Sequence, residues 1–181
     1  MTTAVDGRRA RGAARRERLV RATLEVIERD GLAGLSHRAI AAQAGVSLAS
    51  ASYHFAGLDD LVATALTHGT EELAAAVRAD DGDRSLGRLA RMIAQEVEDH
   101  RGRLVAEYEL YLLALRRAHL RPQALAWLDV IADSFAPELE GAARRAFRAT
   151  VEGVCLHALF DEGPPDAAAI ERTLTLAWPR P

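Results

Sequence analysis

The sequence predicts an all-α protein of about nine helices, and three features support this fold class. Hydrophobic residues make up 49% of the 181 residues, enough to form a buried core and to exclude general disorder. Aromatic residues make up only 5%, whereas Ala, Leu and Arg are abundant, a composition that favours helices over a β-sandwich. Apolar residues recur at helical spacing between Gly, Pro, Ser and Asp residues, and no segment has the pattern of a convincing strand.

The N-terminal segment, residues 1–14, is predicted to be a flexible basic arm because it has arginines but no apolar periodicity. It could be a frayed tail, or it could reach towards DNA, where Arg8, Arg9 and Arg11 would suit phosphates or a minor groove. It lacks the apolar stretch of a secretory signal. A helix is then predicted from Arg15 to Asp30.

Two short helices with a tight turn between them are predicted next. Ser36 stands where an N-cap belongs, ahead of a helix that runs to about Gln43. Gly45 can take a positive φ in the break, and a second helix runs from Ser47 to about His54. This spacing is the one that a helix-turn-helix requires, although a generic αα-hairpin would give much the same pattern.

The rest of the chain predicts long helices with short breaks. They cover about residues 59–79, 86–97 and 104–115, then a helix opened by Pro122, a helix from Pro137 to about Phe160, and a last helix capped by Asp166. We assign residues 15–61 to a three-helix head and residues 62–181 to a second helical domain.

The net charge of -3 hides an uneven distribution. Residues 1–55 carry nine Arg against five acidic residues, a balance of +4, whereas residues 56–181 carry 14 Arg against 21, a balance of -7. Basic charge is therefore concentrated where a phosphate backbone would need it. The single cysteine excludes an internal disulfide, and no apolar run approaches the roughly 20 residues of a membrane span. We expect a cytoplasmic protein with no membrane partner.

The residues of the helix-turn-helix also carry a family resemblance. The stretch LSHRAIAAQAGVS from Leu35 to Ser47, followed by Tyr53-His54-Phe55 and Leu61, resembles the tetracycline-repressor (TetR) family over roughly residues 15–65. The resemblance implies a homodimeric, usually repressing regulator that binds double-stranded operator DNA. It also implies that the C-terminal domain binds a small effector and shifts the spacing of the two DNA-binding heads. Phe55 is expected to pack in the core rather than to face DNA.

The resemblance further implies roles for individual residues. It places Ser36, Ser47 and His54 at phosphates, Tyr53 at the backbone or a base edge, and Leu48, Ala49 and Ser50 on the groove-facing surface. Arg38 and the pair Arg15 and Arg16 would add longer-range attraction, and sequence preference would depend on Ser50, Ser52 and Tyr53. The sequence departs from the family at Ala51 and Ser52, where a large aliphatic residue and a tyrosine are usual, and at Leu58, in a region that usually has a lysine. One phosphate anchor is therefore expected to be missing, and DNA shape to contribute to specificity.

The second domain is expected to bind an effector and to dimerise. The helix from Pro137 to Phe160 has apolar residues over so wide an arc that it must be covered on two sides, either by a second copy or within the chain. The residues predicted at a dimer interface are Phe147, Val151, Val154, Leu159, Ile170 and Leu174. The region predicted to line a ligand pocket contains Met92, Gln95, Glu107, Tyr108, Tyr111, Trp127 and His157, each of which could also be an ordinary core residue.

Other classes of function have less support in the sequence. An enzyme is not expected, because no Gly-rich phosphate loop, G-x-S-x-G or H-E-x-x-H motif occurs. Two pairs at four-residue spacing, Glu96 with His100 and His157 with Asp161, could each share a metal ion. Two ligands are too few for a metal sensor, so we expect surface partners, and no cofactor is implied. A redox role for Cys155 competes with a buried structural one. An interaction module without DNA binding would leave the basic head unexplained.

Overall fold

The computed structural model describes residues 3–79 and 82–178, and it confirms the predicted all-α class. Within these residues there are eight α-helices and no strand. The helices are α1 (Thr3–Asp30), α2 (His37–Gln43), α3 (Leu48–His54), α4 (Leu58–Arg78), α5 (Leu86–Arg116), α6 (Arg121–Phe135), α7 (Gly141–Ala158) and α8 (Ala167–Ala177). Short 3-10 turns, Leu32–Gly34 and Ala118–Leu120, follow α1 and α5. None of the described helices is both long and apolar enough to cross a membrane.

The first helix begins earlier than the sequence indicated. α1 starts at Thr3 rather than at Arg15, so residues 3–14 of the predicted flexible arm are helical, while residues 1–2 lie outside the described residues. The prediction depended on apolar periodicity, which this segment lacks. Ala and Arg are among the strongest helix formers, and a helix already nucleated by packed residues further along can extend through them without an apolar face.

Two later boundaries also differ from the prediction. α5 runs through the break expected at Gly102, but its backbone is non-helical at His100 (φ -132°, ψ 30°), so the two predicted helices are halves of one kinked helix. This merger accounts for the difference between about nine predicted helices and the eight described. α7 begins at Gly141 rather than at Pro137, which lies in a turn; the φ of Gly141 is 53°, a value that glycine adopts readily.

The described residues fall into two compact units. The N-terminal unit contains the residues up to His68 together with Ala106–Ala124, and the C-terminal unit contains Gly69–Val105 and the residues from Leu125 onward. This partition differs from the boundary predicted at residue 61, because the second half of α5 and the start of α6 group with the head. The assignment of effector binding and dimerisation to residues 62–181 remains a prediction.

Residues 106–124 contribute to the core of the N-terminal unit. One cluster of buried side chains includes Leu110, Ala114 and Leu120 together with Leu19, Ile40 and Leu61. The carboxylate of Glu109 accepts a hydrogen bond from the N–H of Leu32 (2.8 Å). Asp59, in the first turn of α4, pairs with Arg117 and lies 3.3 Å from Nε2 of His119. The apolar burial and these polar contacts together make residues 106–124 part of the head's own packing.

The core of the C-terminal unit is formed by buried residues of α5 to α8. They include Leu89, Ile93, Val97, Leu128, Ile131, Phe135, Phe147, Val151, Ile170 and Leu174. Arg88 is also buried, and its guanidinium donates to the carbonyl oxygens of Val77 (2.8 Å) and Asp83 (2.7 Å). Because a buried charge is costly unless its donors are satisfied, these bonds both offset the burial of Arg88 and hold the end of α4 to the start of α5. Asp166 caps α8 as predicted.

Candidate nucleic-acid interface

The helix-turn-helix pair α2 and α3 is set by the capping chemistry that the sequence predicted. The hydroxyl oxygen of Ser36 accepts a hydrogen bond from the N–H of Ala39 (3.1 Å). The hydroxyl oxygen of Ser47 accepts one from the N–H of Ser50 (3.2 Å). Gly45 has a φ of 63° in the intervening turn, in the left-handed region that favours glycine. The predicted N-cap at Ser36, the turn and the limits of both helices are confirmed.

One side of α3 is fixed in the core of the N-terminal unit. Ala51 is fully buried and Phe55 is 2% exposed, so the prediction of Phe55 as a core residue is confirmed. The guanidinium carbon of Arg16 lies 4.9 Å from the centre of the Phe55 ring, and Arg16 also donates to Oγ1 of Thr64 (3.0 Å). The side chain at position 51 faces the core. A small residue there, where the family it resembles usually has a large aliphatic one, therefore changes packing rather than the exposed surface.

The other side of α3 is open to solvent. Tyr53 is 86% exposed and Leu48 is 50% exposed, although both side chains are large. Ser47, Ala49 and Ser52 are exposed, and Ser50 and His54 are half-buried. The ring of His54 lies edge-on to that of Tyr53, with 5.4 Å between the ring centres. α3 thus presents hydroxyl groups, an aromatic ring and an aliphatic side chain on the surface that the sequence assigned to a DNA groove, and that assignment remains a prediction.

Arginines border this surface. Arg15 on α1 is exposed and donates to Oγ of Ser50 on α3 (3.3 Å), and Arg38 is exposed in the first turn of α2. Arg29, by contrast, donates to both carboxylate oxygens of Asp30 (2.6 and 3.0 Å), and this bond lowers the pKa of Asp30. Guanidinium and hydroxyl groups around an exposed short helix can bind phosphate oxygens and base edges.

The residues predicted to line a ligand pocket are distributed over both units. Glu107, Tyr108 and Tyr111 belong to the N-terminal unit, whereas Met92, Gln95, Trp127 and His157 belong to the C-terminal unit. Gln95 and His157 are exposed and the other five are half-buried. The rings of Tyr108 and Tyr111 lie edge to face with 6.4 Å between their centres. The pocket stays a prediction, with five half-buried candidates.

Of the six residues predicted at a dimer interface, four are buried within the single chain, and the interface stays a prediction. Phe147, Val151, Ile170 and Leu174 are at most 7% exposed within the single chain, while Val154 and Leu159 are half-buried. A side chain that is buried within its own chain has no exposed surface with which to contact a second copy. The large apolar residues left exposed near the end of α7 and on α8 are Leu156 (39%), Phe160 (79%) and Leu176 (77%). None of these three residues was predicted at an interface from the sequence, although the four-residue spacing of Leu156 and Phe160 indicates a shared helix face.

The residues considered for redox chemistry and metal binding, Cys155 and the pair Glu96 and His100, lie in environments that favour structural roles. Cys155 is buried, and burial raises the pKa of its thiol to about 12, with the nearby carboxylates of Glu152 and Glu96 adding to the shift. A thiol that stays protonated is a poor nucleophile, which favours the structural role. Glu96 lies 3.3 Å from Nδ1 of His100 and 3.0 Å from the guanidinium of Arg103, so the predicted pairing of Glu96 with His100 is confirmed. Across the described residues, no group of three potential metal ligands occurs.

Two family models match the chain, one in each half. The model described as bacterial regulatory proteins, tetR family, matches residues 19–65, and the model described as tetracyclin repressor-like, C-terminal domain, matches residues 80–180. The chain belongs to the TetR family. Its members are transcriptional regulators rather than enzymes, and the resemblance stated from residues 35–61 is confirmed.

Solved structures and a curated relative agree with this membership. The multidrug binding protein EbrR complexed with ethidium is 38% identical, with 92% of this chain and 99% of that chain covered and a TM-score of 0.81. A TetR family member from Streptomyces coelicolor A3 gives the same values. The nicotine-responsive transcriptional repressor HdnoR of Paenarthrobacter nicotinovorans is 32% identical over 111 residues. That match covers 58% of this chain and 57% of the repressor, so only a little over half of its length is spanned.

Proposed function

We propose that this protein is a homodimeric repressor that binds a pseudo-palindromic operator through α3 and leaves it when a small molecule binds. The observation that supports DNA binding is that one side of α3 is buried and the other side is open to solvent. Ala51 and Phe55 are buried, whereas Leu48 and Tyr53 on the same short helix are exposed. A helix that is anchored on one side and open on the other can enter a major groove without leaving the body of the protein. A DNA target would place the protein in the cytoplasm.

The proposed contacts follow from the hydrogen-bond donors and the apolar surface that the exposed side chains still offer. In Ser36 and Ser47 the hydroxyl oxygen already accepts a capping bond, so the hydroxyl hydrogen can still donate to a phosphate oxygen. Tyr53 can stack on the sugar-phosphate backbone or donate from its hydroxyl group to a base edge. The exposed Leu48 offers no donor, so apolar contact with a thymine methyl group suits it better than a hydrogen bond.

The DNA-binding proposal is tested by fluorescence anisotropy with labelled DNA from around the protein's own gene and with a scrambled duplex. We expect a sequence-specific complex whose affinity falls steeply with salt. Tyr53→Ala should abolish that specificity, and Leu115→Ala is the matched control because Leu115 is 58% exposed in the same unit but lies on α5. Equal binding of both duplexes by the wild type, or unchanged specificity in Tyr53→Ala, would contradict the proposal.

The homodimer is proposed to form through the outer faces of α7 and α8. Leu156, Phe160 and Leu176 expose large apolar side chains there, and such exposed apolar surface favours a partner. A second copy related by a two-fold axis would bring two heads onto the two halves of a pseudo-palindrome. Two linked heads also bind more tightly than one, since the second binding event is intramolecular.

The effector is proposed to be an aromatic cation. EbrR, which is 38% identical to this chain, has been solved with ethidium, malachite green and proflavin, which are all aromatic cations. In this chain the half-buried carboxylate of Glu152 lies close enough to Cys155 to contribute to the raised pKa of its thiol. Carboxylates partly removed from water attract a cation more strongly than exposed ones do.

The effector proposal is tested by titrating the protein with ethidium in the absence of DNA, because ethidium also intercalates. We expect saturable binding that Glu152→Gln weakens by about tenfold, the loss typical of one charged contact. Glu98→Gln is the matched control, because Glu98 is exposed on α5. Malachite green is then added to the operator complex, and it should release the labelled DNA. The anisotropy of the free duplex is the reference. No ethidium binding, or equal weakening in both variants, would contradict an aromatic cation held by Glu152.

A further inference from the structure

Arg15 and Arg16 are neighbours on α1, yet their side chains contact opposite ends of α3. The guanidinium of Arg15 donates to Oγ of Ser50, in the first turn of α3 (3.3 Å). The guanidinium carbon of Arg16 lies 4.9 Å from the centre of the ring of Phe55, the residue that ends α3. Ser50 and Phe55 are separated by five residue steps, or about 7.5 Å along a helix axis. The two arginines that the sequence assigned to the same long-range attraction therefore have different local partners.

The contacts of Arg16 connect three helices of the N-terminal unit. Arg16 on α1 lies over the Phe55 ring and donates to Oγ1 of Thr64 on α4 (3.0 Å). The hydroxyl of Thr64 in turn donates to the carbonyl oxygen of Asp60 (2.8 Å). The carboxylate of Asp60 accepts a hydrogen bond from the N–H of Ala56, the residue after Phe55 (3.2 Å). We call this set of contacts, which joins α1, the end of α3 and the start of α4, the Arg16 clamp.

The helix held by the Arg16 clamp has little apolar surface with which to fix its own position. Within Leu48–His54, all of which the structure describes, Ala51 is the buried residue. Its methyl group buries far less area than the large aliphatic side chain that is usual there in the family. The attachment at the other end comes from Phe55, which is 2% exposed. A guanidinium can stack on an aromatic ring and donate hydrogen bonds in its own plane at the same time, which the ammonium group of a lysine cannot do.

We propose that Arg16 is a positioning residue for DNA recognition, which fixes the angle of α3 through Phe55 and Thr64 and does not bind a phosphate. The proposal rests on the DNA-binding function proposed above. The N-terminal residues of a recognition helix are the ones that reach base edges. A small rotation of α3 about its Phe55 end would therefore displace Ser47 and Leu48 in the groove. The guanidinium that prevents this rotation already has a ring against its face and a hydroxyl group at its edge.

The test uses two substitutions of Arg16 and one matched control on the same helix. Arg16→Lys keeps the positive charge but loses the planar stacking group, and Arg16→Ala removes both. Arg21→Lys is the control, because Arg21 is exposed on α1 and pairs with Glu17 of the same helix (3.2 Å), a contact that lysine can keep. Arg16 is also exposed and all replacements favour helix, so circular dichroism should show unchanged helicity. Operator affinity is measured by anisotropy over a range of salt concentrations, and amide hydrogen exchange is measured without DNA.

Arg16→Lys and Arg16→Ala are both expected to weaken operator binding by about tenfold, the equivalent of one hydrogen bond and one exposed cation–π contact. The slope of log K against log salt concentration should stay at the wild-type value in both, because no phosphate contact is lost. Amide exchange should become faster in the segment 48–57 of both variants and stay unchanged in the segment 37–43. Arg21→Lys should match the wild type in every measurement.

Wild-type affinity in Arg16→Lys, or a slope lower by about 0.9 in Arg16→Ala, would indicate a phosphate contact and overturn the positioning role. Unchanged exchange in the segment 48–57 of both variants would overturn it as well, while leaving DNA binding by α3 intact. A wild type without operator specificity would overturn the DNA-binding function and the role of Arg16 in it. The exchange measurement, made without DNA, would then still show whether Arg16 holds α3 in place.

Discussion

Replacing Ser47 by Asp and by Ala separates its role as a helix cap from its proposed role at a phosphate. The Oγ of Ser47 accepts the N–H of Ser50 (3.2 Å) at the start of the seven-residue helix α3. Ser47→Ala removes this bond and should lower the free energy of unfolding by about 1 kcal/mol. Asp caps as well as Ser does, and its charge interacts favourably with the N-terminus of a helix. Ser47→Asp should therefore be as stable as the wild type or more stable, by up to about 1 kcal/mol.

DNA affinity is expected to follow a different order from stability. Ser47→Ala loses a phosphate hydrogen bond, whereas Ser47→Asp loses the same bond and adds repulsion of about 1 kcal/mol between two negative charges about 4 Å apart in water. The less stable variant should thus bind the operator better than the more stable one. Urea denaturation and anisotropy at one salt concentration measure the two orders. Operator binding by Ser47→Asp that equals or exceeds that of Ser47→Ala would refute a phosphate contact at Ser47, and wild-type stability of Ser47→Ala would refute the cap.

Three further predictions concern the core, the dimer and the buried thiol. Phe55→Ala should lower the free energy of unfolding by about 3 to 5 kcal/mol in urea, because Phe55 is 2% exposed; a loss below about 1 kcal/mol would contradict its place in the core. Phe160→Glu should give monomers in sedimentation velocity while Leu112→Glu, at a 58% exposed position on α5, does not; a surviving dimer would exclude this interface. Because the pKa of Cys155 is raised from 9.0 to about 12, the unfolded chain ionises first as the pH rises. The free energy of unfolding should therefore fall by about 1.4 kcal/mol per pH unit between pH 9 and 12, and this slope should disappear in Cys155→Ala.

The features that the sequence predicted correctly are those with local causes. Ser36 was recognisable as a cap because its hydroxyl bonds to an N–H three residues later, and Gly45 because the turn needs a positive φ. The limits of α2 and α3 followed from these two features. Phe55 was recognisable as a core residue because it directly follows α3, the recognition helix of the proposed DNA interface.

The features that the sequence did not predict depend on contacts between distant parts of the chain. The apolar pattern of Phe147 and Leu174 indicated burial, but such a pattern does not show whether the same chain or a second copy covers the side chain. The bond between Arg15 and Ser50 joins residues 35 positions apart, and the bond between Leu32 and Glu109 joins residues 77 positions apart. Helical periodicity is a short-range signal, so it cannot reveal such pairs.

The contribution of residues 106–124 to the N-terminal core has a consequence for how such regulators can be recombined. A fragment that ended at His68 would contain the whole helix-turn-helix but would lack Leu110, Ala114 and Leu120 from its core cluster. It would expose the apolar surface that these side chains cover, and apolar surface exposed in this way favours aggregation. Chimaeras that exchange heads between relatives should therefore retain a matching segment 106–124. The N-terminal unit is compact in space but made of two separate segments of the sequence, so it cannot be exchanged by cutting the gene at one point.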